Sequence, residues 1–245
     1  MSGIIKSPIT YYNNVQLHYF GKKIKRTMVP VYSDYVSRHA NELIQFAGIE
    51  KHHRVLDVGC GMGKYTMDML AKGYKVEGLD LSPFLLQQFL RYNDNRFNVK
   101  LHAADILEAP EELNEQFDFV IGYMTLHHLH VLHASFQSMF RLLKPGGKLI
   151  FLEPNPFNPL FHMQILFTKG MSYKGEKGLL DMTRNKIFNA MGFSGFIKPR
   201  LRRFGFFPPV IYNNDIGKKL DNSLSKIRPL QGIMAFQLFA AEKPL

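Results

Sequence analysis

Residues 55–66 read Val-Leu-Asp-Val-Gly-Cys-Gly-Met-Gly-Lys-Tyr-Thr, and the fold prediction starts from this segment. An apolar run with one embedded acid leads into three glycines separated by single residues, and a helical pattern then begins. This order predicts a buried strand, a tight turn and a helix. Glycine permits positive φ and lets a ligand approach the backbone with no Cβ in the way. The start of the helix directs free N–H groups at whatever occupies the turn.

The spacing of the glycines indicates which ligand the turn binds. A dinucleotide site requires G-x-G-x-x-G, whereas this turn has G-x-G-x-G with Lys64 where the third glycine would stand. Asp57 lies just before the turn. A carboxylate there repels a pyrophosphate and attracts an ammonium or a sulfonium. The turn therefore favours a ligand with a cationic group over a dinucleotide.

Two further acids follow strand-like segments. Val76-Glu-Gly-Leu-Asp80 reads as a second strand that ends in an acid nineteen residues beyond Gly61. A carboxylate at that position suits hydrogen bonds from ribose hydroxyls. Another strand-like segment precedes Ala104-Asp105-Ile106, where an acid can accept from an adenine amino group. The segments together predict an adenosine ligand with a cationic tail.

At this point the sequence resembles the class I S-adenosylmethionine-dependent methyltransferases. The matching segments occur in the family's order and spacing across roughly residues 50–153, and they are Leu56-Asp-Val-Gly-Cys-Gly-Met-Gly63, Gly78-Leu-Asp-Leu-Ser82, Ala104-Asp-Ile106, Phe117-Asp-Phe-Val-Ile-Gly122, Leu126-His-His-Leu129 and Leu143-Lys-Pro-Gly-Gly-Lys-Leu-Ile150. The segment Ala235–Lys243 also resembles the family's last strand. The resemblance covers the cofactor half of the chain and not the substrate half.

The resemblance implies that S-adenosylmethionine is the cofactor. It also implies which residues surround the cofactor, namely Asp57, Gly59, Cys60, Gly61, Asp80, Leu81, Asp105, Ile106 and Tyr123. The position of Cys60 in the turn needs a small residue, and we favour a cysteine that occurs there by chance over a nucleophile.

Strands and helices alternate beyond the first turn. Four βα-type units in succession predict an α/β fold with a parallel, doubly wound sheet and right-handed crossovers. The resemblance implies the Rossmann-like form of this fold, with seven mostly parallel strands and an antiparallel last strand. Helix signals lie on both sides of the first strand, with Gly48 as the C-cap of a helix over Tyr32–Ala47 and Ser82 as the N-cap of a helix that begins at Pro83.

We predict a single methyltransferase domain over residues 1–245. It comprises an N-terminal arm and helix (1–50), a cofactor-binding core (51–153), a substrate lid inserted after the fifth strand (154–180) and the C-terminal part of the core (181–245). Three prolines in Pro154-Asn-Pro-Phe-Asn-Pro159 exclude a helix or a central strand there. Further helices are predicted over Leu160–Phe167, over Leu179–Met191 with Gly192 as its cap, and over Asp215–Ile227.

Composition limits the class of protein and its compartment. A chain of 245 residues that is 46% hydrophobic and 21% charged suits one globular domain. We expect no signal peptide and no spanning helix. The single Cys60 excludes an intrachain disulfide and fits a reducing compartment, so we predict a cytoplasmic protein.

The net charge is +11, and nine Lys or Arg residues fall between Lys169 and Arg203. A second basic cluster is Lys22-Lys-Ile-Lys-Arg26. Two interpretations remain open. The basic face binds an anionic partner, such as a phosphorylated substrate, a membrane surface or RNA, or it is simply solvated.

Methyl transfer requires alignment of the acceptor, together with a base when the acceptor is a hydroxyl. The candidate bases are His127, His128, Glu153 and, from the arm, Tyr12. A structural or cofactor-side role is an open alternative for His128. His130 and His133 extend the run of histidines, but no cysteine or dense set of carboxylates accompanies them, so we predict no metal site.

The absence of two motifs narrows the possible classes of methyl acceptor. Methylation of pyrimidine C5 requires a cysteine nucleophile, and the only cysteine lies in the cofactor turn. Gly122-Tyr-Met-Thr-Leu-His127 replaces the Asn/Asp-Pro-Pro-Tyr/Phe motif of enzymes that methylate exocyclic amines of nucleic acids. We therefore predict a small organic or lipid-like acceptor, with an anionic group and peripheral membrane contact as options and nucleic acid as an unfavoured partner.

A pocket for this acceptor is predicted among Phe157, Phe161, Met163 and Phe167, which equally suit packing within the lid. Two alternatives stay open. One is an RNA or protein methyltransferase that uses the basic surface. The other is a non-catalytic subunit that binds the cofactor to stabilise a partner. Nothing in the sequence indicates an oligomeric state.

Overall fold

The computed structural model describes residue 24 and residues 28–129, 131–167 and 177–245. These residues contain one seven-stranded sheet, whose strands are β1 Arg54–Val58, β2 Lys75–Asp80, β3 Leu101–Ala103, β4 Phe117–Tyr123, β5 Leu143–Pro154, β6 Ile197–Phe204 and β7 Phe236–Glu242. The helices are α1 Asp34–Ala47, α2 Thr66–Ala71, α3 Pro83–Asn93, α4 Leu132–Leu142, α5 Pro159–Phe167, α6 Arg184–Phe193, α7 Pro209–Tyr212 and α8 Asp215–Leu224.

The strand order is β3-β2-β1-β4-β5-β7-β6. Pairs from β3 through β5 are parallel, while β7 is antiparallel to both β5 and β6. This confirms the predicted Rossmann-like class with an antiparallel last strand. The chain moves outward from β1 to β3 and then returns to place β4 on the other side of β1. Ligands of such sheets bind beyond the carboxyl ends of the strands at this reversal.

Both faces of the sheet are covered by apolar layers. Along β1, Val55 packs into one layer and Leu56 into the other, and Val120 and Ile121 alternate in the same way along β4. Burial on both faces explains why these strands read as continuous apolar runs. The layers hold the strand ends rigidly, so residues beyond those ends have defined positions.

Local signals fixed several helix ends as predicted. The side chain of Ser33 accepts a hydrogen bond from Val36 N at the start of α1, and Gly48 ends that helix with φ 72°. Ser82 caps α3 through Leu85 N, and Pro83 occupies the first turn. These interactions confirm the caps expected at Gly48 and Ser82.

The helix predicted over Leu179–Met191 was wrong at both ends. A 3-10 helix occupies Lys177–Asp181, and α6 begins only at Arg184. Gly192 lies inside α6, which continues to Phe193. The left-handed conformation is adopted by Gly195, at φ 92°, so the turn comes three residues later than expected.

Three predicted features lie partly or wholly outside the described residues. Tyr12 and most of the N-terminal arm precede them, and residues 168–176 of the predicted lid fall in a gap. In the portion that the structure does describe, the helices are too short or too polar to cross a bilayer.

Candidate active site

The glycine turn between β1 and α2 has one open side. All three glycines have positive φ, which is 73° at Gly59, 54° at Gly61 and 83° at Gly63. A Cβ on Gly59 would lie 2.3 Å from Thr125 Cγ2, and one on Gly63 would lie 2.4 Å from Phe89 Cε2. Among the described residues, the nearest atom to a Cβ built on Gly61 is the Met28 methyl, 4.0 Å away. Protein atoms therefore pack against the outer glycines, while Gly61 leaves room for a ligand.

Asp80, at the end of β2, closes this turn. Its buried carboxylate accepts hydrogen bonds from Gly61 N and Ser82 N, each at 2.8 Å. Burial raises the pKa of this carboxyl to about 6, against the opposing effect of the two hydrogen bonds. Each carboxylate oxygen keeps a second lone pair, so Asp80 can accept further hydrogen bonds from a ligand.

Asp57 lies in β1 under the same turn and is buried. Its Oδ2 accepts a hydrogen bond from Thr66 Oγ1 at 2.6 Å. Its Oδ1 makes no hydrogen bond to any part of the chain that the structure describes. Burial raises the pKa of Asp57 to about 7; the hydrogen bond from Thr66 opposes this shift and the charge of Asp80 adds to it. A buried oxygen without a donor is costly, and a cationic ligand group would satisfy it.

Asp105 and its neighbours lie one strand further along. Asp80 in β2 pairs with Ala103 in β3. Asp105 comes two residues after Ala103, so it lies just beyond the end of the strand that neighbours Asp80. The Asp105 Oδ1 accepts a hydrogen bond from Leu107 N at 3.0 Å and so begins a 3-10 helix. The side chain of Ile106 is buried in an apolar layer, which leaves its backbone as the part that can contact a ligand. Leu81, beside Asp80, is half-buried.

Two predicted cofactor residues direct their side chains into the protein. Cys60 is buried, with Sγ 2.6 Å from where a Cβ of Gly78 would lie. Burial raises the pKa of this thiol well above its usual value, so it remains protonated and is a poor nucleophile. The hydroxyl of Tyr123 lies 3.4 Å from Met69 Sδ, and its ring stacks on Tyr65 with centroids 4.3 Å apart. Both side chains therefore pack within the protein rather than facing a ligand.

Glu153 joins the end of β5 to the loop after β4. It is fully buried. Its Oε1 accepts hydrogen bonds from Thr125 N at 2.9 Å and Leu126 N at 2.7 Å. Its Oε2 lies 2.5 Å from Nδ1 of His127, which is also buried. These two predicted bases thus interact with each other, and Glu153 determines the conformation of the loop.

His128 is the more accessible member of the histidine pair. Its ring is half-buried, and its centroid lies 4.0 Å from that of His127. The 3-10 helix Lys177–Asp181 rests on the same loop, because a Cβ on Gly178 would lie 1.8 Å from the carbonyl oxygen of His127. The segment that follows residues 168–176 therefore returns to the loop that carries both histidines.

Comparisons with known proteins identify this arrangement. The model of the family described as "Methyltransferase domain" matches residues 55–147. The demethylmenaquinone methyltransferase of Staphylococcus aureus (strain JH9) is 31% identical over 178 residues, which cover 64% of this chain and 73% of that protein. The chain belongs to the class I S-adenosylmethionine-dependent methyltransferases.

Solved structures share the fold of this methyltransferase. Geranyl diphosphate C-methyltransferase from Streptomyces coelicolor A3(2), in complex with Mg²⁺, geranyl diphosphate and S-adenosyl-L-homocysteine, matches with a TM-score of 0.63 at 16% identity, over 97% of this chain and 100% of that one. A Haemonchus contortus phosphoethanolamine N-methyltransferase 2 complex matches with a TM-score of 0.61 at 20% identity over 85% of this chain. The methyltransferase spans 53% of the length of that Haemonchus chain.

The cofactor of this methyltransferase is S-adenosylmethionine. The residues at the turn fit it on two independent observations. The Oδ1 of Asp57 is buried without a donor from the described chain, which suits the amino group of the methionine part. A Cβ on Gly61 would approach no described residue more closely than 4.0 Å, and Gly61 lies beside a carboxylate, Asp80, that retains the capacity to accept from hydroxyls.

We expect cofactor binding to strengthen as pH rises. The pKa values of Asp57 and Asp80 in the folded protein are about 7 and about 6, above the usual value of 3.8. Between pH 3.8 and these values, the folded protein without ligand keeps protons on the two carboxyl groups that the unfolded chain has lost. Their contribution to stability is therefore lost as pH rises through these values. An ammonium ligand favours the ionised form of Asp57, so binding below about pH 7 releases a proton, and affinity rises up to about tenfold per pH unit.

Calorimetry with S-adenosylhomocysteine, in two buffers of different ionisation enthalpy, measures this proton release directly. Asp57→Asn is the matched control, because it keeps the size of the side chain and cannot titrate. A dissociation constant that does not change between about pH 6 and pH 8 would contradict the expected ionisation of Asp57 on binding.

The segment after β5 differs from the pocket that was predicted there. Phe157, Met163 and Phe167 are 58%, 52% and 81% exposed. These side chains therefore do not line an enclosed pocket in the described structure. The turn before α5 is nevertheless rigidly held, because Asn155 and Asn158 donate side-chain hydrogen bonds to backbone carbonyls of residues 232–234.

Sequence reasoning missed three residues that shape this site. Thr66 supplies the hydrogen bond to Asp57, Thr125 packs against Gly59, and Gly178 makes the close approach to His127. For Thr66, the only sequence signal of this role was its position at the start of the helix that follows Asp57 and the glycine turn. The other two contacts join distant parts of the chain. Among the described residues, no group of three or more potential metal ligands comes together.

Proposed function

We propose that this methyltransferase transfers the methyl group of S-adenosylmethionine to a small, largely apolar organic acceptor bound beyond the carboxyl ends of β4 and β5. The observation that carries the acceptor class is the chemistry of the segment after β5. Residues 154–175 contain no acid, and α5 is composed almost wholly of apolar residues. The name of the Staphylococcus relative, demethylmenaquinone methyltransferase, supports an acceptor of this kind.

The acids at three adjacent strand ends are assigned to different parts of the cofactor. We assign Asp57 to the amino group of the cofactor, Asp80 to its ribose, and the surroundings of Asp105 to its adenine, because these carboxylates lie at adjacent strand ends around the open Gly61. When bound, the cofactor supplies a methyl group activated by its sulfonium. The protein then has mainly to hold the acceptor in line and exclude water.

Glu153 acts as a positioning residue in this proposal. As a carboxylate it requires the proton of His127 on Nδ1, which fixes the tautomer of that ring. The same carboxylate holds the backbone of Thr125 and Leu126, so it orients the loop that carries His128. We assign His128 to the acceptor, as its proton acceptor where the nucleophile is a hydroxyl. Tyr12, which lies outside the described residues, is a second candidate for this role.

We also propose that residues 154–180 act as a lid over the acceptor, within a single domain that includes the N-terminal arm. The contact between Gly178 and His127 supports this assignment, because it brings the far end of the segment back to the candidate acceptor site. The lid would exclude water from the reacting atoms without contributing to the cofactor site.

The alternative of an RNA or protein acceptor depended on the basic surface. In β6, Arg202 forms an ion pair with Glu42, and Lys198 forms one with Glu242 at 2.8 Å. The guanidinium of Arg200 lies over the ring of Phe46, 5.1 Å from its centroid. These cations interact with the protein's own surface, so this part of the basic surface does not favour a polyanionic partner.

An acceptor screen with labelled S-adenosylmethionine tests the proposal. The panel should contain an apolar quinol dispersed in detergent, a phosphorylated amine, total RNA and total protein. We expect transfer to the apolar small molecule. Label found only in RNA or protein would refute the acceptor class, and failure to bind S-adenosylhomocysteine would refute the cofactor assignments.

A further inference from the structure

Helix α5 exposes an unusual amount of apolar surface. It has nine residues, Pro-Leu-Phe-His-Met-Gln-Ile-Leu-Phe, and contains no charged side chain. Ile165 is buried, whereas Leu160, Met163, Leu166 and Phe167 are 46%, 52%, 67% and 81% exposed. A helix with so few polar residues belongs in a protein core or in lipid, and the residues that the structure describes cover this one on one side only.

A second segment extends this apolar surface. The Nδ2 of Asn155 donates to the carbonyls of Gly232 and Met234, and that of Asn158 donates to Ile233 O at 2.6 Å. These bonds hold residues 232–234 beside the start of α5, and the 3-10 helix Arg228–Ile233 leads into them, with Ile227 and Ile233 exposed. We use the term apolar surface for α5 together with Phe157, Ile227 and Ile233.

The two chain segments that form the apolar surface contain basic residues and no acidic ones. Residues 154–175 contain no Asp or Glu, and neither do residues 222–241. Lys226 and Arg228 are both exposed in the second segment. The complete chain carries a net charge of +11. An exposed apolar surface whose own segments carry cations and no acids is complementary to a layer of anionic lipid headgroups over an apolar interior.

We propose that the apolar surface binds an anionic lipid bilayer, with α5 inserted at the level of the headgroups and Lys226 and Arg228 against the lipid phosphates. At nine residues α5 is too short to span the bilayer, so it lies in the interface. The biological reason for membrane binding rests on the proposed function. An apolar acceptor concentrates in the bilayer, and α5 follows directly on β5, whose end carries Glu153.

Co-sedimentation of the full chain with lipid vesicles tests the inference. We expect binding to vesicles of phosphatidylcholine mixed with phosphatidylglycerol, and much weaker binding to phosphatidylcholine alone. The combined variant Leu160→Gln, Met163→Gln and Leu166→Gln should reduce binding at least about tenfold, because it removes most of the insertable surface. Lys226→Gln and Arg228→Gln should each reduce it about fivefold and lower its sensitivity to salt.

Leu90→Gln is the matched control. Leu90 is also an exposed apolar residue of a helix, at 56%, but α3 packs on β2 and β3 at the opposite edge of the sheet. This variant should bind vesicles as the wild type does. Binding of S-adenosylhomocysteine verifies that each variant is folded.

Besides failure to bind vesicles at all, three outcomes would overturn the inference. They are equal binding to both kinds of vesicle, undiminished binding by the triple glutamine variant, and a stable dimer that the same variant converts to monomers. The last outcome would assign the surface to a second copy of the chain. Vesicle binding is measured without acceptor, so a protein that ignores vesicles but methylates a detergent-dispersed apolar acceptor refutes this inference alone.

Discussion

Asp80→Asn should weaken the binding of S-adenosylhomocysteine by about thirty- to a hundredfold. The substitution removes the charge from the carboxylate that we assign to the ribose hydroxyls. It also replaces one acceptor oxygen by an NH₂ group, so either Gly61 N or Ser82 N loses its partner. Hydrogen bonds to a charged group contribute about 1.5–3 kcal/mol each, which sets the expected range. Isothermal titration calorimetry measures the change.

Asp118→Asn is the control for this experiment. Asp118 is also an aspartate in the sheet and accepts a hydrogen bond from a backbone amide, Arg54 N, at 2.7 Å. It lies at the start of β4, at the end of the sheet remote from the glycine turn. We expect Asp118→Asn to alter stability slightly and cofactor affinity not at all. An Asp80→Asn protein that is folded and binds with wild-type affinity would remove Asp80 from the cofactor site.

The parts of the fold that the sequence predicted are those with local causes. A glycine turn requires positive φ within a few residues of itself, and Gly59, Gly61 and Gly63 all have it. Caps act over three or four residues, which is why Ser82 and Gly48 were read correctly. The parallel order of β1 to β5 followed from the alternation of strands and helices, since crossover connections leave few other topologies.

The direction in which side chains point was less predictable. Cys60 and Tyr123 stand where ligand contacts were expected, yet the side chain of Cys60 packs against Gly78 and that of Tyr123 against the ring of Tyr65. Their partners, Gly78 and Tyr65, are defined only once the strands are paired and α2 is placed. A motif therefore locates a residue near a ligand without showing whether its side chain or its backbone faces that ligand.

The segment that we predicted to be a lid shows a different limit of sequence reasoning. Its prolines and apolar helix were recognised, and α5 at Pro159–Phe167 agrees with the predicted helix to within one residue. An apolar helix is consistent with an enclosed pocket, with a packed core and with an exposed surface. Only the exposures of Met163 and Phe167 distinguish among these, and they depend on which neighbours the fold provides.

Glu153 is the site residue whose replacement should cost most stability. Three donors converge on its fully buried carboxylate, namely Thr125 N, Leu126 N and, at 2.5 Å, Nδ1 of His127. Glu153→Ala leaves these donors without partners where water does not reach, at about 1–3 kcal/mol for each unsatisfied group. We therefore expect the free energy of unfolding in urea to fall by at least about 3 kcal/mol, a large part of the stability of an ordinary domain.

Glu77→Ala provides the comparison for Glu153. Glu77 also contacts a histidine, with its Oε2 3.0 Å from His102 Nε2, and it pairs with Arg54. Its side chain is 12% exposed, so water can replace the lost contacts. The cost should be about 1 kcal/mol. Similar losses for the two variants would mean that burial of the Glu153 contacts is not what stabilises the loop.

The variant Glu153→Gln distinguishes the effect of Glu153 on the tautomer of His127 from its effect on the stability of the fold. The amide can still accept from the backbone of Thr125 and Leu126, but its NH₂ group then faces His127 and requires the opposite tautomer of that ring. We expect near-normal stability and unchanged affinity for S-adenosylhomocysteine, with kcat at least about tenfold lower and a shifted pH profile. Wild-type kcat in this variant would mean that the tautomer of His127 does not matter to methyl transfer, and that Glu153 serves the fold alone.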